Sequence, residues 1–343
     1  MKKLILLFSA SIGLLIGLQA FSTTIPWYMK DIPHMTHHLY PENCATIKYR
    51  QHIRTFFRRI HSLIVHRNNI DSAIQEIDAE LEAIRAKFIN KEKKALQKIK
   101  EKYDLDNHIW SQCLDDIKRV KQHNLTSLKS SQQNASHDEN VSQEIKNILC
   151  DLLKQNDIHP LSISVTMADS ENNALEAEAV GSVVYTDDQE TLIIYPRYVI
   201  QEITFWMKNC TNSEELLAIC AHEVEHILQQ HMITRRIIKL YLRHYYTISA
   251  DILNGCDAFN RLIKAQEQQA EIFAALRDPH VAHCMALKRK CKYYPNYLYE
   301  KHYYYLSTID MLWKLRTYLI SVKDHGGIVD DAKMRCKKLL NFI

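Results

Sequence analysis

Within Ala221-His222-Glu223-Val224-Glu225-His226, two imidazoles stand four residues apart, with a carboxylate directly after the first. On a helix that spacing is close to one turn, and the two histidines are offset by only about 40°. Their ring nitrogens can then meet a single Zn²⁺ at about 2.0–2.1 Å. Glu223, beside the first histidine, can hold a metal-bound water and act as its general base. Such a trio is suited to hydrolysis of an amide bond. With 18 histidines in 343 residues a chance match is not rare, so the surroundings must decide. They favour the chemistry. Leu216, Leu217, Cys220, Ala221, Val224, Ile227 and Leu228 recur at helical spacing, and Thr211 with Glu214 fits a capping box. Two histidines and a glutamate on so apolar a helix are costly to bury without a compensating ion.

A catalytic zinc takes three protein ligands, and two residues compete for the third place. His231 lies nine residues past His222, which turns it about 180° away on a continuous helix. No glycine stands between them to break that helix. Glu267 lies on a second predicted helix, from about Asp257 to Leu276, packed through Ala258, Phe259, Leu262, Ile263, Ala270, Phe273 and Ala274. Glu271, one turn later, can accept a hydrogen bond from the second nitrogen of a ligand histidine and fix its tautomer. By position alone, Gln266-Glu267-Gln268-Gln269 reads more simply as a solvated helix face. The residues by themselves leave the third ligand open.

The elements that must position this chemistry form an α+β pattern that is predominantly helical. Thr46 to Lys121 reads as helix. Ile70, Ile74, Ile77, Leu81, Ile84 and Phe88 give a 4-3-4-3-4 seam, faced by Phe56, Phe57, Ile60, Ile64 and Val65, with Asn68 and Asn69 at the turn. A helical hairpin or coiled-coil region is expected, with docking of a helical partner or oligomer through residues 46–121 as the sharper alternative. Residues 122–141 are polar and read as a linker. They carry Asn-x-Ser/Thr triplets at Asn124, Asn134 and Asn140, which such a composition generates on its own. From 142 to 343 a single domain is expected: a helix over Ser142–Gln155, strands near Leu161–Met167, Ala177–Tyr185 and Thr191–Tyr195, then helices almost to the end. An extended substrate could add to the sheet along Thr191–Tyr195.

Composition agrees. Only 6 Gly and 7 Pro argue against a turn-rich β-sandwich. A net charge of +4 with no basic stripe does not call for nucleic acid. Lys2 and Lys3 precede an apolar run from Leu4 to Leu18, followed by Ala20 and Ser22, which reads as a signal peptide over residues 1–22. Cleavage after Ala20 or Ser22 is expected, with a retained membrane anchor over residues 4–21 as the alternative. The Met-Lys-Lys start has a bacterial style, so a periplasmic mature protein with a helical region over 23–121 is the expectation. Nine cysteines fit an oxidising compartment but contain no Cys-x-x-Cys pair, and Cys220 reads as a small buried hydrophobe. Arg235, Arg236, Lys239 and Arg243 read as a solvated basic face, with membrane proximity the alternative. His280, His283 and Cys284, after Asp278-Pro279, read as a loop, and the tyrosines of Lys292–Tyr305 as helix packing.

The stretch Ala221 to His231 resembles zinc metallopeptidases of the HtpX and CAAX-prenyl-endopeptidase type (gluzincins), in the style of their periplasmic, chaperone-like BepA members. Those proteins carry Ala-His-Glu-x-x-His with a further His five residues on, as His231 is here. Their later Glu-x-x-Ala-Asp motif is matched by Glu267-Gln268-Gln269-Ala270-Glu271, with Glu in place of the final Asp. The likeness covers roughly residues 142–320. It implies a zincin-like peptidase domain over 142–343, one Zn²⁺ per chain held by His222, His226 and Glu267, and Glu223 as catalytic base. It also implies an unfolded or extended polypeptide substrate. The family's Ser/Thr-His-Pro and following Arg are replaced by Ser307-Thr308-Ile309-Asp310 and Arg316, which leaves Arg316 a candidate for stabilising the transition state. A non-catalytic, chaperone-like protein with a structural or decayed metal site is the competing expectation.

Overall fold

A computed structural model describes residues 44–67, 69–130, 139–168, 177–188, 190–196, 201–206, 212–249, 252, 255–292, 301–324 and 334. The expected signal segment, Thr211, Asn134 and the tyrosines of 293–300 lie outside them. The chain divides into two compact units, one of Met1–Glu76 with Tyr318–Ile343 and one of Ile77–Thr317.

In the first unit, helix α1 (Cys44–Arg67) buries Ile53, Phe56, Phe57, Ile60 and Ile64. The chain then reverses into α2 (Ile70–Lys102). Asn69 makes the turn: its N–H donates to the Leu63 carbonyl at 3.1 Å, and its Oδ1 accepts from Ser72 N–H at 3.0 Å. An Arg59–Glu76 ion pair joins the two sides of the reversal. The expected seam is buried at Ile77, Leu81, Ile84 and Phe88, whereas Ile70 and Ile74 are half-buried and Ala73 is fully enclosed.

The second unit opens with the rest of α2 and with α3 (Asn107–Lys129), which Asp106 caps through bonds from the His108 and Ile109 amides. The stretch expected as a linker is therefore helical as far as Lys129. Its apparent polarity is that of an amphipathic last turn: Asn124 and Leu128 are buried at 2% exposure each, and Gln122 and His123 face outward. A buried Asn124 is closed to a glycan. Helix α4 (Gln143–Gln155), capped by Ser142, lies where the apolar periodicity places it.

The sheet differs from expectation. A 3₁₀ turn occupies Pro160–Ser162, so β1 is only Ser164–Met167. The expected strand Ala177–Tyr185 is two: β2 (Ala177–Gly181) and β3 (Val184–Asp187). Strand β3 pairs with β4 (Leu192–Tyr195) in a separate hairpin, and Asp188 closes its turn by accepting from the Glu190 and Thr191 amides. The centre of the main sheet is β5 (Gln201–Phe205), parallel to β1 and antiparallel to β2, giving the order β1-β5-β2. Its buried residues are Gln201, Ile203 and Phe205.

Five helices follow: α5 (Ser213–Gln229), α6 (His231–Tyr246), α7 (Asp257–Arg277), α8 (Pro279–Lys292) and α9 (Lys301–Asp324). Helix α5 packs on α4, α7, α8 and β2 and is the centre of the unit. The segment read as a loop after Asp278 is α8, because Asp278 Oδ1 accepts from the His280 and Val281 amides and Pro279 sits in the first turn, where it needs no donor. Beside α5, α6 sets Ile233, Ile237 and Ile238 against Leu192 and Ile194 of the hairpin and Phe259 and Leu262 of α7. Each such side chain contributes about 1.5–3 kcal/mol by burial. No helix among the described residues is long and apolar enough to cross a membrane.

Candidate active site

Helix α5 begins at Asn212, whose side chain accepts the Glu215 amide at 2.8 Å, with Glu214 and Glu215 in its positive first turn. The cap is thus one residue beyond the Thr211 of the expected capping box. The helix is buried on nearly every side from Leu216 to Ile227, as its composition requires. Cys220 is among its fully buried residues and bears no disulfide.

This helix and α7 bring three groups together. His222 Nε2 and His226 Nε2 are 3.0 Å apart, and each is 3.2 Å from Glu267 Oε2. In a tetrahedral site with bonds of about 2.0–2.1 Å, the ligand atoms stand roughly 3.3 Å apart. The spacing and the donor set, two imidazoles and one carboxylate, therefore fit a zinc ion. Among the described residues this is the group of three or more His, Cys, Asp or Glu side chains that could hold a metal. Exposure is graded: the His226 side chain is 5% exposed, His222 17% and Glu267 43%, so the cluster opens on the Glu267 side. Burial alone would raise the Glu267 carboxyl, but bonds to His222 and His226 outweigh it and hold the group well below the usual carboxylate range. Burial likewise lowers His222, against the opposing bond to Glu267.

Glu223 is buried beside the cluster, with Oε1 4.0 Å from His222 Nε2. Its Oε2 accepts the backbone N–H of Ala179 at 2.7 Å. Since β2 is an edge strand, a 179 amide turned away from β5 marks Ala179 as a non-hydrogen-bonded position of the ladder. The open edge of β2 therefore faces α5. Thr191–Tyr195, expected to be that edge, lies in the separate hairpin instead. Partial burial and the nearby Glu223 charge push the neighbouring Glu178 carboxyl up.

His231 departs from the continuous-helix expectation. The helix breaks without glycine at Gln230, which adopts a left-handed conformation (φ 55°, ψ 42°). That costs on the order of 1–3 kcal/mol. Partners for the buried Gln230 side chain offset the cost: Asn124 donates to it, and it donates to the Ile227 carbonyl. The break swings His231 inward, though as a partner of His226. Gln269 presents Oε1 to His231 Nε2 at 3.0 Å, so that nitrogen carries the proton. His231 Nδ1 is then an acceptor, 3.0 Å from His226 Nδ1, which must donate. His226 Nε2 is left as a bare lone pair turned towards His222 and Glu267. Burial, reinforced by the charges of Lys121 and Arg235, holds His231 well below the ordinary imidazole range, so it stays neutral. Replacing the partner of a ligand histidine typically weakens metal binding by about 10–100-fold. His231→Leu is expected to do so in a chelator competition; affinity within about threefold of wild type would show that His226 needs no such partner.

Other expected features settle elsewhere. Arg316 pairs with Asp78 through Nε at 2.6 Å and is thereby tied to α2. Gln266 and Gln269, read as solvated, are 0% and 2% exposed, whereas Gln268 is half-buried. Arg235, read as part of a basic surface, donates from Nη2 to Glu267 Oε1 at 2.8 Å. Glu271 is buried at 3% exposure, and the Nδ1 place on His226 belongs to His231. His283 sits against Asp310 and Lys314. Sequence reasoning missed Arg235 although a signal existed: it lies one turn after His231, on the same helical face.

Fold and cluster together define a mainly helical α+β domain of the zincin-like metallopeptidase class. Residues 200–297 match the profile of Peptidase family M48, a span that holds β5, both histidines, Glu223 and Glu267. The match is at the level of the family and supports a metallopeptidase acting on polypeptides. No curated protein and no solved structure matches the chain.

Proposed function

We propose that the protein is a zinc-dependent endopeptidase that cleaves unfolded or extended polypeptides, of the HtpX and CAAX-endopeptidase style within family M48. The observation that carries the reading is the convergence of His222 Nε2, His226 Nε2 and Glu267 Oε2 beside the buried Glu223. A zinc ion held by those three residues would supply Lewis acidity and lower the pKa of water at the site. Glu223 takes the proton from the attacking water and delivers it to the leaving amine. The Ala179 amide orients the Glu223 carboxylate before substrate arrives.

Substrate binding follows from the edge of β2. The carbonyl of Ala179, and the backbone groups of Ala177 and Gly181 two residues either side, share its open side. An extended chain can pair there by main-chain hydrogen bonds, which favours unfolded segments and gives weak sequence preference. The positive start and apolar run of residues 2–18 support export to a bacterial periplasm, with anchoring by residues 4–21 if that segment is retained. The test compares wild type with Glu223→Gln on an unfolded protein; equal cleavage would refute the mechanism.

A further inference from the structure

We infer that helix α2, which lies outside the segment matching the peptidase family, is a working part of the metal centre: Glu92, through Gln266 and Arg235, holds the Glu267 carboxylate in place. The inference rests on the metallopeptidase reading above, and all four residues lie within one compact unit.

The chain of bonds is continuous. Arg235 donates from Nη2 to Glu267 Oε1 at 2.8 Å and from Nε to Gln266 Oε1 at 2.7 Å. Gln266 donates from Nε2 to Glu92 Oε1 at 2.8 Å. Its polarity is dictated from both ends. The carboxylate of Glu92 can only accept, so it takes the amide nitrogen of Gln266 and turns the amide oxygen to Arg235, whose guanidinium can only donate. Gln266 is wholly buried, so no water competes for either end. The planar guanidinium is thus held at Nε by Gln266, and its Nη2 takes one oxygen of Glu267. The other oxygen, Oε2, is left 3.2 Å from both histidine nitrogens. A second strut reaches the opposite side of Glu267, where Lys91 Nζ donates to Gln268 Oε1 at 3.0 Å. Adjacent residues of α2 therefore grip the residues before and after Glu267 on α7.

The consequence is a ligand set made ready before metal arrives. Glutamate carries three rotatable bonds, and its side chain here is 43% exposed. Unbraced, it would sample positions away from the histidines, and Arg235 removes that freedom while reserving Oε1. Glu92 and Arg235 are accordingly positioning residues, and one-oxygen coordination by Glu267 is their product.

The test is the zinc dissociation constant of the full chain, measured by chelator competition for wild type, Arg235→Met, Glu92→Leu, Glu92→Gln and the double variant Arg235→Met/Glu92→Leu. Loss of a group that orients a ligand costs about 10–100-fold, and Arg235→Met is expected in that range. Glu92→Leu is expected to weaken zinc about tenfold, while Glu92→Gln, which keeps an acceptor oxygen, stays within about threefold of wild type. The double variant should bind no more weakly than Arg235→Met alone, because both residues act on one carboxylate in series. Equal affinities for wild type and Glu92→Leu, equal losses for Glu92→Leu and Glu92→Gln, or a double variant showing the product of the single losses would each overturn the inference. The Glu92 pair decides the matter even if Arg235→Met fails to fold. A wild type that binds no zinc would instead remove the metallopeptidase reading on which the inference stands.

Discussion

Glu223→Gln is expected to lower cleavage of an unfolded protein about a thousandfold, within the range that general acid–base catalysis supplies, while leaving the bound zinc in place. The substitution is close to isosteric. Its carbonyl oxygen can still accept the Ala179 amide that Glu223 Oε2 accepts at 2.7 Å, so the helix, the strand edge and the donor cluster keep their places. What disappears is the ability to take a proton from water. Glu223 is 6% exposed, and no free water can easily stand in for it as a base. The experiment measures peptide-bond cleavage together with zinc content for the same preparation. Zinc retained with cleavage unchanged would move the weight to the non-catalytic, partner-binding alternative.

The second large effect is expected for His226→Ala. Structural zinc sites bind with roughly 10–16 kcal/mol, which divided among four ligands is roughly 2.5–4 kcal/mol each. Loss of one ligand therefore weakens zinc about a hundredfold to nearly a thousandfold. His226 is the most enclosed of the three groups and also the partner of His231, so its removal leaves the buried His231 Nδ1 with its acceptor unfilled. A further cost of about 1–3 kcal/mol in stability should appear as a lowered Tm of the apo protein. Glu267→Ala, by contrast, should lose zinc with a smaller change in Tm, because its side chain is 43% exposed. Equal zinc affinity for His226→Ala and wild type would remove the donor set as drawn.

Sequence reasoning reached furthest where one local pattern decides. His222, Glu223 and His226 share a helix whose apolar spacing is evident, and the structure places their side chains together. The helix bearing Glu267 was legible from its packed face, but its meeting with α5 was not, since nothing in either segment encodes their approach. What stayed hidden depended on partners distant in sequence. Gln230 looks like an ordinary helical residue, and its left-handed backbone is stabilised by Asn124, more than a hundred positions away. Gln266 and Gln269 read as solvated because glutamine usually is, yet Arg235, Glu92 and His231 satisfy their amides in the interior. Strand β5 escaped because Gln201 and Glu202 interrupt its apolar character, although Ile203 and Phe205 alternate as a strand should. The polar stretch after Lys121 passed for a linker for the opposite reason. Two of its positions, Asn124 and Leu128, carry the buried face of α3, and the asparagine has Gln230 as its partner.

The most direct test of the central claim is anomalous scattering at the zinc edge from crystals of the full chain grown with zinc. One peak per chain is predicted, bonded to His222 Nε2, His226 Nε2 and a single oxygen of Glu267. A protein whose crystals hold no zinc there, or whose zinc sits away from all three side chains, would contradict it.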